Sequence, residues 1–527
     1  MKIIKLLTNT RVQIAIVCAS ILCVTSCTKK YAEINTDRNA IVTIGSSELP
    51  FLFARAQKEA TPSIWNYQIA QNLFADQYAQ YIANTATYFP SDRLVIRMDW
   101  VGAAFNPIYT DVVPQLQSIF EAADPASAEY ALASILWVVA FHRVTDYWGP
   151  IPYFNAGVPG NSVAYDPQDK IYDDFLKRLA AAVTVLKGKT TEKPYGDFDL
   201  MYAGDVNKWI KFANTMRLRL AMRISKVDAA RARTEAEAAV ASGTLTDSPG
   251  DDAYVKRSVT GDDNNGLSIM SDWNEFRMSA TMESVLKGYA DPRMPVYFLP
   301  AQNTGTFEGH RNGLTSTQLT QPANQHGNNS HVGPRWASPS YGGVASYLST
   351  PQNVMATAEA YFLRAEGALL GWNMAGTAQN LYNLGITNSF KQWGITDPVV
   401  IAAYINSLAV PIAPGDFLAS PPVTTIPVRW DPVNVAVQRE QVALQKWLAM
   451  FPDGMEAWAD YRRSRVLKLY PVANSDNPDI TNTTTQWIRR IPFLLSEYQN
   501  NKVEVEKAVQ LLGGPDKVTT PLWWDKN

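Results

Sequence analysis

Apolar residues recur at three- and four-residue spacing along two long stretches of the chain, roughly 46–245 and 352–510. In "DVNKWIKFANTMRLRLAMRISK" the repeating positions are Val206, Trp209, Ala213, Met216 and Leu220, one stripe of an α-helix. Asp205 stands where a capping carboxylate belongs, Asp228 opens the next helical run and Gly243 ends it. A second stripe, Val354, Ala358, Tyr361, Phe362, Ala365 and Leu369, leads to Gly371 and Gly376, which flank the turn into "TAQNLYNLGITNSF". A helical hairpin with small residues at its contact is the unit that stacks in tetratricopeptide-like arrays. Similar pairs are predicted at about 98–122 with 126–146 and at 168–188 with 205–225. "FPDGMEAWADYRRSRV" begins with Asp453 and Glu456 in capping-box spacing and predicts a further helix.

Between the two helical stretches lies a Gly-, Asn-, Ser- and Pro-rich segment, roughly 246–351, with weak periodicity. A second loop-rich insertion, "VPIAPGDFLASPPVTTIPVRWDP" at 410–432, interrupts the C-terminal half. The expected fold is mainly α: a helical-hairpin scaffold carrying long irregular loops.

The N-terminus follows a different rule. Its first 26 residues carry Lys2, Lys5 and Arg11 and no acid, around the apolar run "VQIAIVCASILCVTS". That run is too short to span a bilayer, and the layout is that of a secretory signal peptide. Val24-Thr25-Ser26-Cys27 resembles a lipobox, which makes Cys27 the expected lipidation site. The alternative is an ordinary secretory signal with a chance cysteine. Cysteine usage favours the lipobox: Cys18, Cys23 and Cys27 are the chain's three cysteines. Cleavage before Cys27 leaves no free thiol and no disulfide, which suits a large exported protein.

Charge adds one exclusion. There are 47 Lys and Arg against 49 Asp and Glu, and loss of the signal removes only bases. With no basic stripe, nucleic acid is excluded as a partner. The longest other apolar run, "ILWVVAF" at 135–141, is sized for a core.

Several stretches resemble a known family, in its order. They are "INTDRNA" (34–40), "FHRVTDYWGPIPYFNA" (141–156), "KWIKFANTMRLRLAMRI" (208–224), "SDWNEFRMSATMESVLKGYADPRMPVYF" (271–298), "AEAYFLRAEGAL" (358–369), "QKWLAMFPDGMEAWADYRRS" (445–464) and "RRIPFLLSEYQNN" (489–501). Together they resemble the SusD/RagB outer-membrane lipoproteins, and most of all the second SusD-like subfamily. The resemblance implies about four tetratricopeptide-like helix pairs with a loop-rich ligand-binding insertion at 246–351. It implies a signal peptide at 1–26, an anchor and tether at 27–45, and one SusD-like domain over 46–527. It also implies an outer-membrane, cell-surface protein held by its lipid. Such a protein captures a nutrient, typically an oligosaccharide, and delivers it to a TonB-dependent, SusC-like outer-membrane channel. Two other readings stay open: a peptide ligand on the same architecture, and a mainly structural subunit that docks the channel.

Sugars need flat apolar faces for the C–H side of a ring and polar groups for its hydroxyls. Trp137, Trp209, Tyr361, Trp447 and Trp458 sit in helical stripes and read as core. Outside regular helix, Tyr88 lies in "NTATYFPSDR", and Phe307, Trp336 and Tyr341 lie in 306–347 among Asn, Gln, His and Arg. Loops on a rigid scaffold are where binding concentrates. Trp100 is spaced like core but lies near a family-type ligand loop. Tyr88, Trp100, Phe307, Trp336 and Tyr341 are therefore the candidate ligand-binding residues.

No catalytic constellation accompanies them, and an enzyme is not expected: there is no G-x-S-x-G, and carboxylate pairs such as Asp173-Asp174 and Asp251-Asp252 read as solvated caps. No cofactor is implied. His326 and His331 lack a third ligand for zinc. "GDDNNG" (261–266) fails the EF-hand template, with Gly261 at the first ligand position and Asp272 where Glu belongs.

Overall fold

The run Leu132–Phe141 is apolar on every face, and a helix of that kind must be buried all round. It forms the middle of a 21-residue helix, Ala128–Trp148, whose residues 131–148 are all buried. The computed structural model describes residues 45–158, 160, 162–338 and 347–526. Contacts divide the chain after Glu48, and the unit Leu49–Asn527 is the one considered below.

Its long helices are α1 (Leu49–Glu59), α2 (Val113–Ala122), α3 (Ala128–Trp148), α4 (Gln168–Lys187), α5 (Val206–Arg223), α6 (Ala229–Ser242), α7 (Thr357–Leu369), α8 (Ala378–Gln392), α9 (Val435–Met450) and α10 (Gly454–Ser464). Neighbours in sequence pack on each other from α2 through α6; α7 packs on α8, and both pack on α9. Helix α7 also meets α5, which joins the two halves of the scaffold. The chain is thus mainly helical.

Local chemistry explains many of the boundaries. The Asp205 carboxylate accepts from the Asn207 and Lys208 N–H groups, and Asp228 from Arg231, each cap worth about 1 kcal/mol. Gly243 ends α6 at a φ of 100°, where a Cβ would strain the backbone. The helix expected over 98–122 is instead three pieces: Gly102–Pro107, a π-helical turn Ile108–Val112, and α2. Pro107 and Pro114 lack the N–H groups that a continuous α-ladder requires. At α10 the expected capping box is half made. Asp453 accepts from the Glu456 N–H, but the Glu456 carboxylate turns inward.

That carboxylate belongs to an ionic web at the scaffold's centre. Arg223 donates twice to Glu456, at 2.6 and 2.7 Å, and Arg219 twice to Glu359, at 2.7 and 2.6 Å. Arg143 pairs with Asp453 at 2.8 Å, and all six groups named here are under a tenth exposed. Charges at such depth persist only when paired.

Strands are few among the described residues. β1 (Ile82–Asn84) pairs antiparallel with β3 (Phe276–Met278), and β2 (Ala253–Val255) with β4 (Gln352–Met355). The first of these pairs positions the candidate site.

Candidate functional site

A π-helical segment, Gln68–Asp76, leads into β1, and the loop after β1 is the early loop singled out in the sequence. Pairing of Asn84 with Phe276 lays that loop against residues 272–275. The Thr85 N–H donates to the Glu275 carbonyl at 2.9 Å and its hydroxyl to the Asn274 carbonyl at 3.0 Å. The Tyr88 hydroxyl donates to one oxygen of the Glu275 carboxylate, and the Gln68 amide donates to the other. Burial of the hydroxyl and its bond to Glu275 push Tyr88 up to about 12, so it stays protonated. The residue as a whole is 65% exposed.

An aromatic row continues from it. Tyr88 meets the edge of Phe89 at 4.6 Å, and Phe89 meets Trp100 at 5.7 Å. The Arg97 guanidinium lies 4.4 Å from the Trp100 ring centre and is held by Asp99 through bonds of 3.0 and 2.7 Å. Phe89 is buried, while Trp100 keeps partial access to solvent. The row offers stacking surface, and Glu275 and Gln68 supply polar groups at its end.

The base of the loop is pinned to the middle insertion. Buried Asp92 accepts from the Asn84 N–H at 3.2 Å, the Asn312 amide at 2.7 Å and the Gly313 N–H at 3.0 Å. Burial pushes its carboxyl up to about 6, and these donors pull against that shift. The Ser316 hydroxyl donates to the Thr87 carbonyl at 3.0 Å, and Arg93 reaches the Leu314 carbonyl at 3.3 Å. The early loop and the 306–320 part of the insertion are thus brought together.

The expected residues fare differently. Tyr88 and Trp100 share the row just described. Phe307 is half-buried beside Glu308, which pairs with Lys287, and no ring contact joins it to Tyr88 or Trp100 among the described residues. Trp336 is corrected. It is only 3% exposed and packs 5.8 Å from Trp393 and 5.7 Å from Phe451, in the core. The reason lies three residues earlier: Gly333 sits so close to the scaffold that a Cβ would come within 2.0 Å of the Val296 carbonyl. That approach, with the Gly333 N–H bonded to the Tyr297 carbonyl, folds the segment inward. Tyr341, Cys27 and the signal peptide lie outside the described residues.

Sequence reasoning missed Glu275 and Trp273, the latter 41% exposed two positions before it. The β1–β3 pairing brings that turn to the early loop. The acidic pairs are also corrected: they are structural partners, not solvated caps. Asp173 binds Arg231, Asp174 binds Arg178 and Tyr153, Asp251 binds Lys211, and buried Asp252 binds Ser248. In the 261–266 loop, Asp262 pairs with Lys58 and Asp263 with Arg257. His331 is buried, with Nε2 2.5 Å from the Ser271 carbonyl, and burial pushes its ring down to about 4.

Comparison with known proteins decides the family. A sequence profile described as "SusD-like: Susd and RagB outer membrane lipoprotein" matches residues 30–525. The chain belongs to the SusD-like family. Outer-membrane association follows from that membership, and no described helix is long and apolar enough to cross a membrane. Among solved structures, a chitin-binding SusD homolog from Flavobacterium johnsoniae is 35% identical, with a TM-score of 0.81 over 91% of this chain and 99% of that one. A SusD-like protein from Bacteroides thetaiotaomicron is 30% identical, with a TM-score of 0.80 over the same shares of the two chains, 91% and 99%. A SusD homolog from Bacteroides uniformis is also 30% identical, with a TM-score of 0.81 over 91% and 99%. A search of curated proteins returned no match. The SusD-like fold is therefore present across the whole unit described here.

Proposed function

We propose that this SusD-like protein captures an oligosaccharide on the face formed by Tyr88, Trp100 and Glu275, and delivers it to a TonB-dependent outer-membrane channel. The observation that carries the reading is the Tyr88 ring, exposed while its hydroxyl is fixed by Glu275. A ring held still loses little freedom when a sugar stacks on it. Trp100, steadied by Arg97, provides a second stacking surface along the same row. The chitin-binding relative supports a β-linked N-acetylated glycan as the first ligand to try. The role is capture and hand-over, with Cys27 as the lipid-bearing residue at the cell surface.

The test is titration of the mature chain, begun at Thr28, with chito-oligosaccharides, other glycans and a peptide set. Saturable binding to a glycan, lost in the Tyr88→Ala/Trp100→Ala double variant, supports the assignment. Binding to peptide alone would replace the ligand class. Glycan binding unaffected by the double variant would remove the proposed face. Co-purification with an outer-membrane channel from the native host tests delivery, and radiolabelled palmitate incorporation lost in Cys27→Ser tests the anchor.

A further inference from the structure

A cavity of about 270 Å³ opens where the C-terminal end of α5 meets α7, α9 and α10. Its lining includes four cationic side chains, Lys226, Arg439, Lys446 and Arg463, and one carboxylate, Glu366. The inner pair of cations is already neutralised. Arg463 donates to Glu366 at 2.6 and 2.7 Å, Lys446 reaches it at 3.0 Å, and both also bind Asp460. Burial works against the charge on Glu366, but Arg463 and Lys446 hold its carboxyl down at about 2. Two cations are thus balanced by two carboxylates.

The outer pair is not balanced. Among the described residues Lys226 donates only to the Lys526 carbonyl, at 3.3 Å, and no acidic group forms an ion pair with it. Partial burial and the positive charges of Arg463 and Arg465 lower Lys226 below the usual lysine range. The Arg439 side chain has no hydrogen bond, ion pair or ring contact among the described residues, yet it lines the same cavity. The Ser464 hydroxyl, also in the lining, is buried without a partner. Two unmatched cations and a spare hydroxyl around one cavity match the needs of an oxyanion with several acceptor oxygens.

We propose that this cavity binds a phosphate or sulfate group, between the guanidinium of Arg439 and the ammonium of Lys226. It is separate from the aromatic face, which uses none of these residues. A carboxylate would satisfy one of the two cations; a doubly charged tetrahedral group satisfies both. The free ion and a sugar ester share this chemistry.

The experiment is calorimetric titration of the mature chain with inorganic phosphate, inorganic sulfate and glucose 6-phosphate, at constant ionic strength. Saturable binding of at least one probe is expected, weakened about tenfold or more by Arg439→Gln/Lys226→Gln, as the loss of two charge-assisted contacts requires. Both positions are exposed and lie outside the inner ionic pairs, so the double variant keeps its fold, which its melting temperature reports. Tighter binding of the ester than of phosphate assigns the site to a ligand-borne group; the reverse assigns it to the free ion. No saturable binding of any probe, or equal binding by the double variant, overturns the proposal.

Discussion

Tyr88 and Glu275, 187 positions apart in sequence, share a hydrogen bond that fixes an exposed ring at the surface. Ring and hydroxyl have separable roles in this arrangement. Tyr88→Phe keeps the stacking face and frees the ring from Glu275, so glycan affinity should fall about threefold to tenfold. Tyr88→Ala removes the face as well and should cost a further ~1–2 kcal/mol, in the range of aromatic contacts. Calorimetry on both variants checks the order. Equal losses would mean that the hydroxyl alone matters.

Trp336 gives the opposite expectation. Its ring is in the core against Trp393 and Phe451, so Trp336→Ala opens a cavity and should destabilise the protein by about 3–5 kcal/mol. Tyr88→Ala, at an exposed position, should stay within about 0.5 kcal/mol. Chemical denaturation of the two variants, with wild type, measures both. Near-native stability of Trp336→Ala would contradict the packing described.

The contrast between Tyr88 and Trp336 marks how far the sequence could be read. Stripes such as Val206–Leu220, with the Asp205 cap, are local patterns, and the helices they predict are present. Trp137, Trp209, Tyr361, Trp447 and Trp458 read as core from their spacing and are buried. Loop aromatics carry no such signal. Whether Trp336 faces solvent depends on Gly333 docking against Val296, and the value of Tyr88 depends on a strand pair linking residues 82–84 to 276–278. Both are contacts between distant segments, and neither leaves a periodic trace. The acidic pairs misled for the same reason: Arg231 and Lys211, which complete them, lie 58 and 40 positions away.

The central ionic web predicts a sharp difference between removing and replacing a group. Glu456 receives two bonds from Arg223, whose guanidinium is buried. Glu456→Ala leaves that cation without its main partner and should destabilise by about 3–5 kcal/mol. Glu456→Gln keeps an acceptor in place and should lose less. A melting-temperature series over the two variants tests this. Equal losses would mean that packing, not charge, dominates at the site.

Asp76 sets a pH dependence. It is buried at the end of the π-helical segment, where it accepts from the Tyr67 hydroxyl and the Gln71 amide, each at 3.0 Å. Burial, with the nearby Asp453 charge adding to it, pushes the carboxyl up from 3.8 to about 7. The folded state therefore holds this proton more tightly than the unfolded chain does. Between pH ~4 and ~7 the folded protein binds more protons than the unfolded one at this group, so the group's contribution to stability falls as pH rises. Above pH ~7 the full penalty of a buried charge is present, and below pH ~4 none of it is. Asp76→Asn cannot titrate. The melting temperature of the variant relative to wild type should therefore climb between about pH 5 and pH 8, by roughly 1–3 °C. The comparison uses the difference between two proteins at each pH, so titrations common to both, such as that of His331, cancel. Parallel melting curves across this range would show that Asp76 is ionised in the folded protein throughout, with Tyr67 and Gln71 outweighing its burial.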